Sequence, residues 1–214
     1  MIQNSLFVLV LVALAACLGM AWIATTKVPF FPPAFLTSHL ECDAGAPNLP
    51  RQAQIDPFED EWYSGLWREA DEPSLYLKSQ DPHAIPSLRF SWAPALRPAV
   101  FVRIDHMPSG GDRLTAKMLP SVGGDDQDFG AKRFERYLRP GELQTLTALL
   151  GRAKPFDLIP TPCDAGADGA QWILEDAAPG RYRMVNRWSP KSGPIYQVGR
   201  QMLSLTGWNI SPTD

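Results

Sequence analysis

Arg187-Trp188-Ser189-Pro190 is the segment of this chain whose residue types best suit recognition chemistry. An arginine fork beside an indole can hold a carboxylate or phosphate in two hydrogen bonds and stack on what it carries. Glu175 and Glu72 are acidic residues that could complete a pocket with Arg187, which would make the protein a small-ligand binder or an enzyme. The competing reading puts Trp188 in the core and pairs Arg187 with Glu175 across a hairpin. Asp105-His106 has the makings of an acid–base pair, but it ends a strand ahead of the loop Met107–Gly111, where a histidine is ordinarily exposed. His39 and His83 stand alone, and no Gly-x-Ser-x-Gly elbow occurs. Asp126, Asp128 and Gly130 are spaced like part of a calcium loop, but the twelfth position is Tyr137 rather than glutamate. Gly123-Gly124 lacks the Lys-Ser/Thr of a phosphate loop. These patterns give no catalytic residue, no metal site and no cofactor. The candidate binding residues are Arg187, Trp188, Glu175, Glu72 and Trp67, the last because it departs from the apolar stripe of its helix.

The elements that must position these residues begin with a segment that carries no charge. Met1 to Thr26 contains no Lys, Arg, Asp or Glu, and Leu6–Ala24 is an almost unbroken apolar run of 19 residues. As a helix it would be about 28 Å long, close to the thickness of a bilayer core. Three readings fit: an uncleaved anchor with Trp22 at the interface, a lipoprotein signal with Cys17 lipidated after Leu14-Ala-Ala, or a removed secretory peptide. Met1–Ser5 has no Lys or Arg, which speaks against both signal readings, and apolar Leu18–Ala24 is unlike the polar tether of a lipoprotein. The expected partner is therefore the membrane, with another envelope protein as a further candidate. Net charge is −3 without a Lys/Arg run, which argues against nucleic acid. Cys42 and Cys163 remain for the rest of the chain, each opening the pentapeptide Cys-Asp-Ala-Gly-Ala. In an exported protein the simplest expectation is one disulfide between them, worth up to about 5 kcal/mol for so long a loop.

Residues 26–56 are proline-rich and read as an extended tether. Pro57–Ala70 reads as a helix, with Asp56 as N-cap, proline at its first position and an inward stripe of Phe58, Trp62 and Leu66. Alternation predicts strands over Ser87–Ala93, Ala99–Asp105, Arg113–Leu119 and Arg133–Leu138, and a hairpin of Ala170–Glu175 with Arg181–Arg187. Leucines at helical spacing place a helix over Pro140–Leu150, and a last helix covers Pro194–Leu205.

Trp62-Tyr-Ser64, Glu72–Leu75, Lys117 followed by Gly123-Gly124, and above all Asp168–Glu175 with Gly180-Arg-Tyr182 and Arg187–Pro190 resemble a family of uncharacterised bacterial proteins that often carry an N-terminal signal or anchor. The resemblance implies one coherent bacterial domain and carries no activity. The fold expected is α+β: an antiparallel sheet of about six strands, helices mainly on one face, and one N-terminal apolar helix. The organisation expected is an anchor or signal at 1–25, a tether at 26–56 and a single domain at 57–214. The domain would be held at the bacterial inner membrane and face the periplasm.

Overall fold

A computed structural model describes residues 27–37, 54–95, 97–108, 110–120, 131–162, 166 and 168–210. The apolar segment before Lys27, all three cysteines and the Asp126–Gly130 turn lie outside the described residues. The elements run α1 (Pro33–Thr37), α2 (Pro57–Glu69), α3 (Leu75–Gln80), β1 (Ser87–Pro94), β2 (Val100–His106), β3 (Asp112–Met118), β4 (Lys132–Tyr137), α4 (Pro140–Ala153), β5 (Ala170–Ala178), β6 (Arg181–Trp188) and α5 (Gly193–Ser204). The fold is α+β, as the alternation implied. All six strands join one antiparallel sheet in the order β4-β3-β2-β1-β5-β6, so the second hairpin adds beside the first strand and makes it central.

The helices are not confined mainly to one face. Phe90 and Trp92 of β1, Val102 of β2, Leu114 of β3, and Trp172 and Leu174 of β5 point to a core covered by Leu146 and Leu149 of α4 and by Val198 and Met202 of α5. The alternate residues point the other way, and α2 covers them. There Tyr63 and Trp67 pack with Phe101, Ile173 and Met184. Phe30, Phe31 and Ile55 join this second core. Part of the expected tether is thus built into the domain, and Pro33–Thr37 is a short helix rather than extended chain. Proline at the first helical position starts a helix as readily as an interior one ends it.

The inward face of α2 also differs from the expected stripe. Glu59, Tyr63, Ser64 and Trp67 are buried, while Phe58 is 72% exposed and Trp62 and Leu66 are half-buried. Two apolar rows, Phe58–Trp62–Leu66 and Tyr63–Trp67–Ala70, run side by side, and the pairing of Trp67 with the sheet decides between them. The capping at Asp56 is as expected: it accepts from the Glu59 N–H at 2.8 Å, and Glu59 accepts from the Asp56 N–H at 3.1 Å. At the other end the helix stops before Pro73. Asp71 takes a left-handed φ of 51°, its N–H donates to the Arg68 carbonyl, and the Glu72 N–H donates to the Trp67 carbonyl at 2.8 Å. That is a Schellman closure, and it turns Glu72 back over the sheet.

Candidate functional site

The face of the sheet under α2 carries a polar block. Along β1 it is Ser87, Arg89 and Ser91, and along β2 it is Arg103 and Asp105. Thr115 and Lys117 follow on β3 and Glu175 on β5, all buried. Cross-strand register sets Arg89 beside both Glu175 and Arg103, and Asp105 beside both Ser87 and Arg113. Two arginines facing each other inside a protein need carboxylates, and three are supplied.

Arg89 is fully buried at the centre. Its Nε and Nη2 donate to the two Glu175 oxygens at 2.7 and 2.9 Å, and Nη1 donates to the Pro73 carbonyl at 2.8 Å. The indole of Trp67 lies 4.4 Å from its guanidinium carbon and donates its own N–H to Ser91 Oγ at 3.0 Å. Burial alone would ease the loss of the Arg89 proton, but the Glu175 and Glu72 charges outweigh it and the pKa moves up. Glu72 meets Arg103 Nε and Lys117 Nζ at 2.9 Å each, and Arg89 at 3.5 Å. Lys117 also donates to the Ala70 and Asp71 carbonyls at 2.9 and 2.6 Å, so one ammonium caps the end of α2 and pins the carboxylate that the end presents. Asp105 takes Lys78 at 2.9 Å, Arg113 at 3.4 Å, the Arg103 guanidinium and the Ser87 hydroxyl. Burial raises the Glu72 and Asp105 carboxyls toward the neutral form, and the surrounding cations overcome it, so both titrate below the usual range. The Tyr182 hydroxyl donates to Glu175 Oε1 at 2.9 Å, and burial with that neighbouring charge pushes its pKa well above the ordinary tyrosine value.

Of the five candidate binding residues, Trp67, Glu72 and Glu175 do come together, around Arg89, which no local sequence pattern marks. Trp67 is not exposed: 1% of it reaches solvent, and it roofs Arg89. Arg187 joins neither glutamate. Strand alternation sends Tyr182 and Met184 to the α2 face and Val185 and Arg187 to the other, and Arg187 donates to the Ile159 and Pro160 carbonyls at 3.1 and 3.4 Å. Register places it opposite Trp172, with Glu175 opposite Met184, so a pair across the hairpin does not form either. Trp188 is half-buried, its indole so close to Gly166 and Gly169 that a Cβ at either would collide with it. His106 is exposed, as its loop position implied, and its Nδ1 lies 2.9 Å from Asp112 Oδ1, whereas its neighbour Asp105 is buried in the ion network. Among the described residues no three His, Cys, Asp or Glu gather as metal ligands would.

The opposite face carries a groove of about 480 Å³ where the end of α4 meets β1, β5 and β6. Its lining mixes apolar Leu88, Leu150, Pro155 and Phe156 with charged Lys154, Asp157, Asp176 and Arg183. Asp176 accepts from Arg181 at 3.1 Å and from Arg183 at 3.0 Å, and the Arg183 guanidinium lies 4.5 Å from the centre of the Phe156 ring.

The fold and this site define an α+β domain whose central charges satisfy one another: three buried cations, Arg89, Arg103 and Lys117, meet three buried carboxylates, Glu72, Asp105 and Glu175. The chain matches no protein-family model and no curated protein.

Proposed function

We propose that this is a membrane-anchored envelope protein of bacteria, a non-enzymatic binding or structural module whose domain faces the periplasm. The observation that carries the reading is the closure of the ion network. The residues best equipped for chemistry are buried and aimed at each other, with each nitrogen of the Arg89 guanidinium donating, two to Glu175 and one to the Pro73 carbonyl. Such a network fixes one geometry for the sheet and the turn after α2; it does not present a reactive group to solvent. The charge-free Met1–Thr26 and the resemblance of the Asp168–Pro190 block to signal-bearing bacterial proteins support the location. A lipoprotein attached through Cys17 would place the same domain in the same compartment. The alternative, a ligand pocket around Arg187, Glu175 and Glu72, loses support because Arg187 stands on the other face of the sheet from both glutamates.

The test is location and topology together. The full chain carries a reporter after Asp214 that is active only outside the cytoplasm, and membranes are washed with alkaline carbonate. The expected result is an active reporter in the washed pellet. Release into the wash would overturn the anchor, and an inactive reporter on a retained protein would overturn the periplasmic orientation.

A further inference from the structure

Where the apolar run ends, the domain begins within reach of one particular surface. Lys27, the first charged residue, is ion-paired with Glu61 on α2. Two residues, Thr25 and Thr26, separate it from Ala24, so the three steps between them span at most about 11 Å of extended chain. Glu61 shares its flank of the helix with Phe58, one turn earlier. Phe58 is 72% exposed, and its ring centre lies 5.9 Å from that of Trp62. Val28, beside Lys27, is half exposed. Leu36, 38% exposed, sits on α1 next to Phe35, whose carbonyl accepts the Ile55 N–H at 3.0 Å just before α2 starts. Among the described residues six large hydrophobics are exposed, and three of them, Val28, Leu36 and Phe58, stand on these joined segments.

We infer that the α2 flank bearing Phe58 and Trp62 lies on the bilayer surface into which the N-terminal segment inserts. The inference rests on the anchored reading above. Its own support is the position of Lys27, which leaves the membrane-facing end of the chain no room to move the domain far from the lipid. A phenylalanine with an adjoining indole is the pair that favours the interfacial zone. The charges around it are mixed: Lys27 and Arg68 stand against Asp60, Glu61 and Glu69. The surface that suits it is therefore a neutral or zwitterionic headgroup layer, contacted through apolar side chains rather than through a basic patch. Docked this way, the domain keeps one orientation to the membrane, with the sheet's other face and the α4 groove turned away.

The test places p-benzoylphenylalanine at position 58 of the full chain, reconstituted in phosphatidylcholine vesicles, and identifies photo-adducts by mass. Position 159 is the control, because Ile159 is 61% exposed and its carbonyl binds Arg187 on the other face of the sheet. The expected result is lipid-mass adducts at 58 several-fold above those at 159, unchanged by high salt. Equal yields at both positions, or chain-to-chain adducts at 58, in protein that floats with the vesicles would overturn the docking while leaving the anchor intact. Protein that fails to float would overturn the anchor, and the docking with it.

Discussion

Replacing Arg89 with methionine tests whether the buried network is closed. The substitution keeps most of the side-chain length but removes the guanidinium that holds both Glu175 oxygens, donates to the Pro73 carbonyl and lies under Trp67. Glu72 keeps Arg103 and Lys117, but Glu175 is left as a buried carboxylate with only the Tyr182 hydroxyl. Removing one partner of a buried ion pair costs about 3–5 kcal/mol, a large share of the roughly 5–15 kcal/mol that holds a domain folded. At a urea slope of about 2 kcal/mol per molar, the unfolding midpoint falls by about 2 M. The double variant Arg89→Met/Glu175→Leu separates charge from packing. It leaves Arg103 and Lys117 facing Glu72 and Asp105, so balance returns; Glu72 loses its 3.5 Å contact with Arg89 but keeps two cations, and the Tyr182 hydroxyl and Pro73 carbonyl lose partners, at about 1–3 kcal/mol each. Urea titrations of the full chain in mild detergent, followed by tryptophan fluorescence, give both midpoints. The double variant is expected to be more stable than Arg89→Met alone. If it is equally or less stable, an uncompensated Glu175 charge is not what the single substitution creates, and the reasoning fails.

Acid should act through the same residues. Glu72 and Asp105 have lower pKa values folded than unfolded, so the unfolded chain takes up protons first as the pH falls. Stability is fully present above about pH 5, begins to fall near the unfolded values of about 4.3 and 3.9, and keeps falling toward the folded ones; a urea midpoint that rises below pH 4 would contradict this. Gly199→Ala should cost about 1–3 kcal/mol, because a Cβ there would come within 2.6 Å of the Phe90 ring and 2.7 Å of the Trp172 ring where α5 meets the sheet, and a thermal melt will show it. Phe58→Ser should change stability by less than about 0.5 kcal/mol, since the side chain is mostly in solvent; a larger loss in the same melt would mean that the helix buries it. Cys42 and Cys163 should resist alkylation until a reductant is added, and labelling of both without reductant would rule out the disulfide.

The apolar face of the sheet was legible in the sequence, because Leu88, Phe90 and Trp92 alternate with polar residues and alternation is a local property. The polar face is hidden from the sequence for the same reason. Ser87, Arg89 and Ser91 alternate as they would on an open, solvated face, and nothing local says that a helix covers them. The covering helix was itself found, with its cap and first proline, but its two parallel apolar rows left its rotation undetermined. Trp67 was the residue that should have decided it: an indole beside Tyr63 and Ala70 makes a second complete stripe. The gathering of Glu72 and Glu175 around Arg89 depends on β5 lying next to β1, which no local pattern encodes. A usable signal was present in the number of charges. Arg89, Arg103, Asp105 and Lys117 all fall on one side of three consecutive strands, too many to be covered without acidic partners from elsewhere.

The strand order also sets a schedule. Arg89 and Glu175 are 86 positions apart, and the first strand in the chain, β1, becomes central only when β5 pairs with it. A chain emerging from its N-terminus can pair β1 through β4, yet it holds an arginine without its principal carboxylate and a strand edge without its neighbour. Long-range pairing of this kind is slow to form. The sheet is finished only once Trp188, the last residue of β6, is available, after nearly nine-tenths of the chain has been made, so the native packing comes late. Under the periplasmic location proposed above, such lateness would keep the chain in the state that a translocation channel accepts.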